Sequence, residues 1–406
     1  MMARASSREA RGRRSSCMAQ RGPVVLQILM SRESSPPSSE APPLTAEAVA
    51  PLRAWIEVDL DAVRRNAERV TAHSGLPMIP MVKGDAYALG VLPVVRVLEP
   101  LAPHAYGVSV PAEGEELRAA GISRKIILYT PCLPHDLLRA HAAGLTPSLS
   151  SAEQIAAWAV MGGGAWHLVI DTGMHREGIA WDAVDTLRPV LAAHPPAGVY
   201  THFHSADADA ESIAQQESRF AQAVAALPSR PALMYADNSP AMARRATSPF
   251  GATRPGAFLY GLSGGPHAVI HPDPVVHVRA RILELRWIEA GETVSYGATW
   301  RAPRRTRVAT VAIGHADGWR RALSNWSDGL LHGRRVPMIG NVTMDMTMAD
   351  VTEVEATVGD VVTVLGTDGT ETLTLDGVAT RAGLSPYELL NGLRSRLPHH
   401  YRGGHL

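Results

Sequence analysis

The stretch Pro80-Met81-Val82-Lys83-Gly84-Asp85-Ala86-Tyr87 decides how the chain is read. Met78 to Val82 is an apolar run with the length of a buried strand, and Lys83-Gly84-Asp85 empties it into a loop. The C-terminal end of a buried strand is where barrel folds assemble their chemistry. Residue type adds to position. Lys and Arg together number 39, yet Lys83 and Lys125 are the only lysines. A chain that meets nearly every need for positive charge with arginine keeps lysine where arginine fails. A guanidinium stays protonated, whereas an amine can lose its proton and attack a carbonyl. Lys125, in Arg124-Lys125-Ile126-Ile127, precedes its strand and reads as a solvated charge at the opposite end.

On either side of this stretch the chain keeps a regular beat. Trp55 to Asp59 alternates as a short strand, and Leu60, Val63, Ala67 and Val70 then share a helical face, capped by Asp59 or Asp61. Strands are expected at Met78–Val82, Ala105–Val110, Ile126–Tyr129, Thr146–Leu149, His167–Ile170, Gly198–His202, Leu233–Tyr235 and Ala257–Tyr260. Helical stretches fall between them: Ala112–Ala120, His135–Ala143, Ser151–Met161 and Ala210–Leu227. Strands alternating with helices in this number predict a (β/α)8 barrel. An open parallel sheet would want a glycine fingerprint after its first strand, and there is none. After about Ser263 the texture turns β-rich, with strands expected at Val275–Trp287, Val308–Ile313, Val336–Thr343 and Val361–Leu365 and little helix before Leu375. The fold class is therefore α/β: an N-terminal (β/α)8 TIM barrel over 51–265, then a mainly β C-terminal domain over 266–406.

Residues 1–50 differ in kind. They are rich in Arg, Ser, Pro and Ala, include Ser34-Ser35-Pro36-Pro37-Ser38-Ser39, and read as a disordered tail. The apolar run Val24 to Met30 is broken by Gln27 and has no small-residue cleavage site, so it is not read as an export signal. The formal net charge of zero leaves no electrostatic footprint for nucleic acid or an anionic membrane. With Cys17 and Cys132 alone, neither a disulfide framework nor a cysteine metal site is available, and no metal is expected.

The polar clusters of the first domain sit at the C-terminal end of an expected strand or in a loop beside one. His167–Ile170 leads into Asp171-Thr172-Gly173-Met174-His175-Arg176, Gly198–Thr201 into His202, Leu233–Tyr235 into Asp237-Asn238-Ser239, and Gly251–Thr253 into Arg254-Pro255-Gly256. Several such clusters converging with a strand-end lysine describe an active-site face. With Val294-Ser295-Tyr296-Gly297, Ala316-Asp317-Gly318, Val342-Thr343-Met344-Asp345 and Pro386-Tyr387-Glu388, these stretches resemble, in order, the motifs of the alanine racemase family of fold-type III pyridoxal-phosphate enzymes.

The resemblance implies an activity and a set of roles. The reaction would be interconversion of L- and D-alanine. Lys83 would hold pyridoxal 5'-phosphate as a Schiff base and, once displaced by substrate, act as one acid/base. Racemisation removes a proton from one face of Cα and returns it on the other, so a second base must stand opposite. In the family it is a tyrosine from the β domain of the partner subunit, here Tyr296, which makes a homodimer part of the expectation. A free tyrosine, titrating at about 10, is a poor base at neutral pH, and His202 and Arg254 would have to lower or orient it. Arg254 would face the pyridine nitrogen, where most pyridoxal enzymes place a carboxylate, and would leave that nitrogen unprotonated and the electron sink weaker. His202 would stack on the ring. The cofactor phosphate would sit among Tyr87, Ser239, the backbone of Gly256 and Ala257, and Tyr387. Arg176 would bind the substrate carboxylate, with Met344 and Asp345 beside it. A cytoplasmic enzyme supplying D-alanine as a peptidoglycan precursor is implied.

Four positions depart from the family pattern. Many members carry a carbamylated lysine seven residues before the arginine at 176, and here Val169 stands there. His315 replaces a tyrosine and Asn341 an arginine at positions that line the corridor to the site. Tyr235 replaces a histidine behind Arg254. The corridor changes keep open a racemase of serine, lysine or arginine. A decarboxylase would not call for Tyr296 and Arg254 in these contexts, and a non-catalytic pyridoxal-phosphate-binding protein would not need the β domain.

Overall fold

The ring of the first domain closes by parallel pairing from one segment to the next. The computed structural model describes residues 45–404 apart from Arg394, so the tail expected over 1–50 lies outside the described residues up to position 44. Thr45 to Ala50 contain one helical turn, Ala46–Val49. Tyr106–Val108 pairs with Ile126–Leu128, and Ser148–Leu149, His167–Asp171, Gly198–Tyr200 and Leu233–Tyr235 pair in that order. Single parallel bridges join the other neighbours: Met81 to Gly107, Ile127 to Thr146, Asn238 to Arg254, and Thr253 to Met78. The last returns the sheet to its first segment, which abolishes edges. Ile126, Ile127 and Leu128 are each fully buried, as continuous apolar strands covered on both faces must be.

The eighth segment is not the one expected from sequence. Ala257–Tyr260 is a 3-10 helix, and the segment that completes the barrel lies just before it, where Thr253 and Arg254 make their bridges. Pro255 offers no N–H to continue a ladder. Ala257, Phe258, Leu259 and Tyr260 are all buried, and a short buried apolar run has the same pattern in either conformation.

In the second domain Val276–Ile288 pairs antiparallel with both Thr306–Val311 and Val361–Asp368. The path through Asp328–Leu331, Arg334–Ile339 and Thr347–Asp350 connects those two neighbours, so this sheet also closes on itself. Ala54–Asp59 joins it from the far end of the chain, antiparallel to Val276–Ile288 and parallel to His399–Arg402. The helix Leu60–Ser74 follows at once, and Asp59 is its cap: Oδ1 accepts from the Ala62 N–H at 2.8 Å. One apolar core runs from the barrel into the β domain without a break. Among the described residues no helix is long and apolar enough to cross a membrane.

Candidate active site

Lys83 ends the first barrel segment half-buried, and the backbone after it is left-handed. Gly84, Asp85, Ala86, Tyr87 and Ala88 have φ of +63°, +54°, +52°, +59° and +67°. For L-residues this costs roughly 1–2 kcal/mol each, so the turn has to be held in place. Ala86 N–H donates to Val82 O at 2.9 Å and Val91 N–H to Asp85 Oδ1 at 2.6 Å. Glu113 ties the turn to the next barrel loop, accepting from Gly84 N–H and Ser109 N–H, both at 2.7 Å. His399, on the last strand of the β domain, bonds Ala88 O at 2.9 Å.

The turn carries Tyr87 to the mouth of the barrel, its ring centroid 4.7 Å from that of Tyr260 and 6.3 Å from that of Tyr387. There Lys83, Tyr87, Arg176, His202, Ser239, Arg254, Gly256, Ala257 and Tyr387 line one open cleft of about 740 Å³. Ser239 Oγ accepts from the N–H of Gly256 at 2.9 Å and of Phe258 at 3.2 Å. Gly256 is where the walls come closest, since a Cβ there would overlap the Tyr87 hydroxyl. Burial pushes the Tyr387 hydroxyl up to about 12, with Asp207 and Asp376 adding to the shift.

Arg254 is 5% exposed and makes no ion pair with a carboxylate among the described residues. Its guanidinium carbon lies 5.2, 5.0 and 5.5 Å from the ring centroids of Tyr129, Tyr200 and Tyr235, so aromatic faces balance its charge. Tyr235 donates or accepts within a short chain, its hydroxyl 3.0 Å from that of Tyr129 and 2.7 Å from His167 Nδ1. One Arg254 Nη donates to Thr201 O at 2.8 Å and lies 3.2 Å from His202 Nδ1. Its Nε is a buried donor without a partner. Burial, then the nearby Arg254 and Arg176, hold His202 well below the usual histidine range, so its imidazole is neutral. Burial and the same two arginines also lower the Lys83 amine.

Tyr296, Met344 and Asp345 do not line this cleft. They form a second cluster on the β domain, Tyr296 being 74% exposed and Met344 61%. Tyr296 sits in a turn whose neighbours Ser295 and Gly297 have φ of +66° and +74°. Asn341 pins that turn: its Nδ2 donates to Tyr296 O at 2.6 Å, and its carbonyl accepts from Ser295 Oγ at 2.6 Å. His315 and Ala316 reach the same cluster through backbone bonds to Thr343 O and Met344 O, both 2.9 Å. Asp345 pairs with Arg396 at 2.7 Å.

Two family models account for almost all of the described chain, the alanine racemase N-terminal domain over residues 58–264 and the alanine racemase C-terminal domain over 275–401. The chain belongs to the alanine racemase family. An alanine racemase of Geobacter sulfurreducens is 36% identical over 367 residues, which cover 85% of this chain and 96% of the relative. The solved alanine racemase of Bacillus anthracis with bound L-Ala-P matches with a TM-score of 0.78 at 29% identity, covering 87% of this chain and 96% of that one. The alanine racemase of Bartonella henselae with covalently bound pyridoxal phosphate matches with a TM-score of 0.79 at 26% identity, covering 86% and 100%. The family is pyridoxal-phosphate-dependent.

The cleft fits that cofactor on its own features. It offers an amine at one wall, a cradle without a Cβ at Gly256, and at Arg254 Nε an unpartnered buried donor that a ring nitrogen would satisfy. Among the described residues no group of three or more His, Cys, Asp or Glu is placed to hold a metal ion. Sequence reasoning passed over Glu113, Tyr129 and Glu177, which also line the cleft. Glu113 lay inside a helical stretch and Tyr129 at the end of an apolar strand, where pattern alone assigns them to surface and core.

Proposed function

We propose that the protein interconverts L- and D-alanine with pyridoxal 5'-phosphate bound in the barrel cleft, and that it does so as a homodimer. The observation that carries this reading is the joining of Lys83, Arg176 and Arg254 in one cleft, with Arg254 free of any carboxylate partner among the described residues. Lys83 would hold the cofactor as a Schiff base, and Tyr87, Ser239, Gly256, Ala257 and Tyr387 would hold its phosphate. Bound pyridoxal phosphate draws electrons from Cα of an attached amino acid and so acidifies the Cα–H.

The chain's own residues do the rest. Arg176 binds the carboxylate and fixes which face of Cα meets Lys83. The Lys83 amine, lowered by burial first and by Arg176 and Arg254 next, is easier to deprotonate at neutral pH and moves the proton on that face. Arg254 donates through Nε and demands an acceptor there. His202, neutral, offers its ring face without adding charge. Tyr296 of a second copy moves the proton on the opposite face, with Met344 and Asp345 beside it. The exposure of Tyr296 and Met344 on the β domain, outside the chain's own cleft, supports the two-chain site. The split into a barrel over 51–265 and a β domain over 266–406, with Ala54–Asp59 lent to the sheet of the β domain, a cytoplasmic location and a place in peptidoglycan-precursor supply belong to the same proposal.

Cofactor-loaded protein incubated separately with L-alanine, L-serine, L-lysine and L-arginine in D2O, followed by chiral chromatography and mass analysis, tests it. Alanine should invert far faster than the others and gain one deuterium at Cα. Inversion of another amino acid in its place would overturn the substrate, and no inversion of any would overturn the activity.

A further inference from the structure

Glu177 is an acidic side chain in the cleft that the proposed mechanism leaves unused. It follows Arg176 in the loop after His167–Asp171, yet its side chain is 10% exposed against 52% for Arg176. The loop's construction puts it there. Asp171 Oδ1 accepts from the N–H of Gly173 at 2.9 Å and of His175 at 3.1 Å, which turns the chain. Gly178, at φ +105°, then folds it back so closely that a Cβ would meet Asp171 N at 2.8 Å and Val169 O at 3.1 Å. Ile179–Ala180 is thereby laid parallel to Ile170 and Asp171. Glu177 ends over the strand, sharing a small cavity with Val169, Met174, Arg176 and His202, and it also faces the main cleft beside Lys83.

A carboxylate withdrawn from water needs a partner. Among the described residues the hydrogen bond that Glu177 makes is to Arg176, from Nη2 to Oε1 at 3.1 Å. That is also the hydrogen bond of the Arg176 guanidinium among the described residues, so one corner is held and the opposite edge is left for a ligand. Val169, on the strand beneath, is apolar and offers Arg176 neither a charge nor a side-chain hydrogen bond.

We infer that Glu177 is the positioning residue of the carboxylate site: it clamps one corner of Arg176 and turns the other edge toward the substrate carboxylate. The loop thus supplies the hydrogen-bond acceptor that the strand lacks. A half-exposed arginine gives up rotamer freedom when it binds, and a side chain already held gives up less. The inference rests on the reading of Arg176 as the carboxylate-binding residue, and its test separates the two.

Propionate is a carboxylate without an amine to react, and its binding to cofactor-loaded protein can be measured by titration calorimetry at fixed pH and ionic strength. Arg176→Ala should weaken it at least tenfold, and no change there would overturn the reading of Arg176 itself. Glu177→Leu, an apolar side chain suited to the buried position, should weaken propionate about fivefold. Glu177→Asp keeps the charge but is one methylene short of Arg176, and should weaken it similarly. Glu177→Gln keeps the reach and the acceptor without the charge, and should stay within about twofold of the parent. In turnover, the Leu and Asp variants should raise KM for alanine by more than they lower kcat. A Leu or Asp variant that binds propionate as tightly as the parent, or a Gln variant as weak as Leu, would overturn the inference.

Discussion

Gly256 has no side chain because the Tyr87 hydroxyl lies where a Cβ would be. Both residues stand where the cofactor phosphate is proposed to bind, so the narrowest point of the cleft is also the point least tolerant of added volume. Gly256→Ala should push Tyr87 aside and raise the dissociation constant for pyridoxal phosphate about tenfold, the scale expected for one forced methyl. Absorbance titration of apoprotein with the cofactor reads this directly. At this scale much of the site was legible in sequence. Lys83 stands out because lysine is rare here, and Arg254 because it falls in a polar loop cluster beside an expected strand. Glu177 was not legible, because its role depends on Gly178 folding the loop back over Val169. Asn341 is expected, from the residue it replaces, to line the way into the site. In the structure it is buried and holds the backbone of Tyr296.

Among the elements, the turn after Lys83 bears the clearest mark of use. Gly84 and Asp85 tolerate positive φ, but Ala86, Tyr87 and Ala88 are not residues that favour it, and nothing in their order signals that the left-handed turn continues through them. Its brace arrives from outside: Glu113 from one side, His399 from the β domain on the other. Ala88→Gly removes a Cβ from a left-handed position while keeping the carbonyl that His399 holds. It should stabilise the protein by about 1 kcal/mol in urea unfolding, whereas Ala88→Val should destabilise it by more than that. Alternation of strand and helix predicted the barrel because each βα unit repeats a local pattern. It misplaced the eighth strand because Ala257–Tyr260 has the short apolar pattern of a buried strand, whereas the true segment at Thr253 and Arg254 carries no such pattern. It missed Asp328–Leu331 and Thr347–Asp350, which are four residues each and too short to show alternation.

For the whole molecule, the pairing of Ala54–Asp59 with His399–Arg402 lay beyond any local pattern, since it joins the two ends of the described chain. It also carries a pH consequence. Burial, then Arg402 and Arg279, push His277 in the neighbouring strand down to about 4, and burial, then His104 and Lys125, push His167 in the barrel down to about 3. Above about pH 6.5 both are neutral folded or unfolded and contribute no slope. Below it the unfolded chain takes up protons that the folded chain refuses, so stability falls with pH until the folded values are reached. Each histidine contributes up to about 1.4 kcal/mol per pH unit in that window. His167→Gln should flatten the fall between pH 6.5 and 5 by roughly that amount in urea unfolding series, and an unchanged slope would show that His167 is not held neutral.

The proposed mechanism needs one catalytic site built from two chains, Lys83 from one and Tyr296 from the other. It is tested most directly by mixing Lys83→Ala protein with Tyr296→Ala protein under conditions that exchange subunits, and measuring alanine racemisation. Each variant alone should be nearly inactive. After random exchange half of the dimers are mixed, each with one whole site of two, so about a quarter of parental activity should return. Full activity in Tyr296→Ala alone, or no recovery on mixing chains shown to have exchanged, would contradict a site shared between subunits.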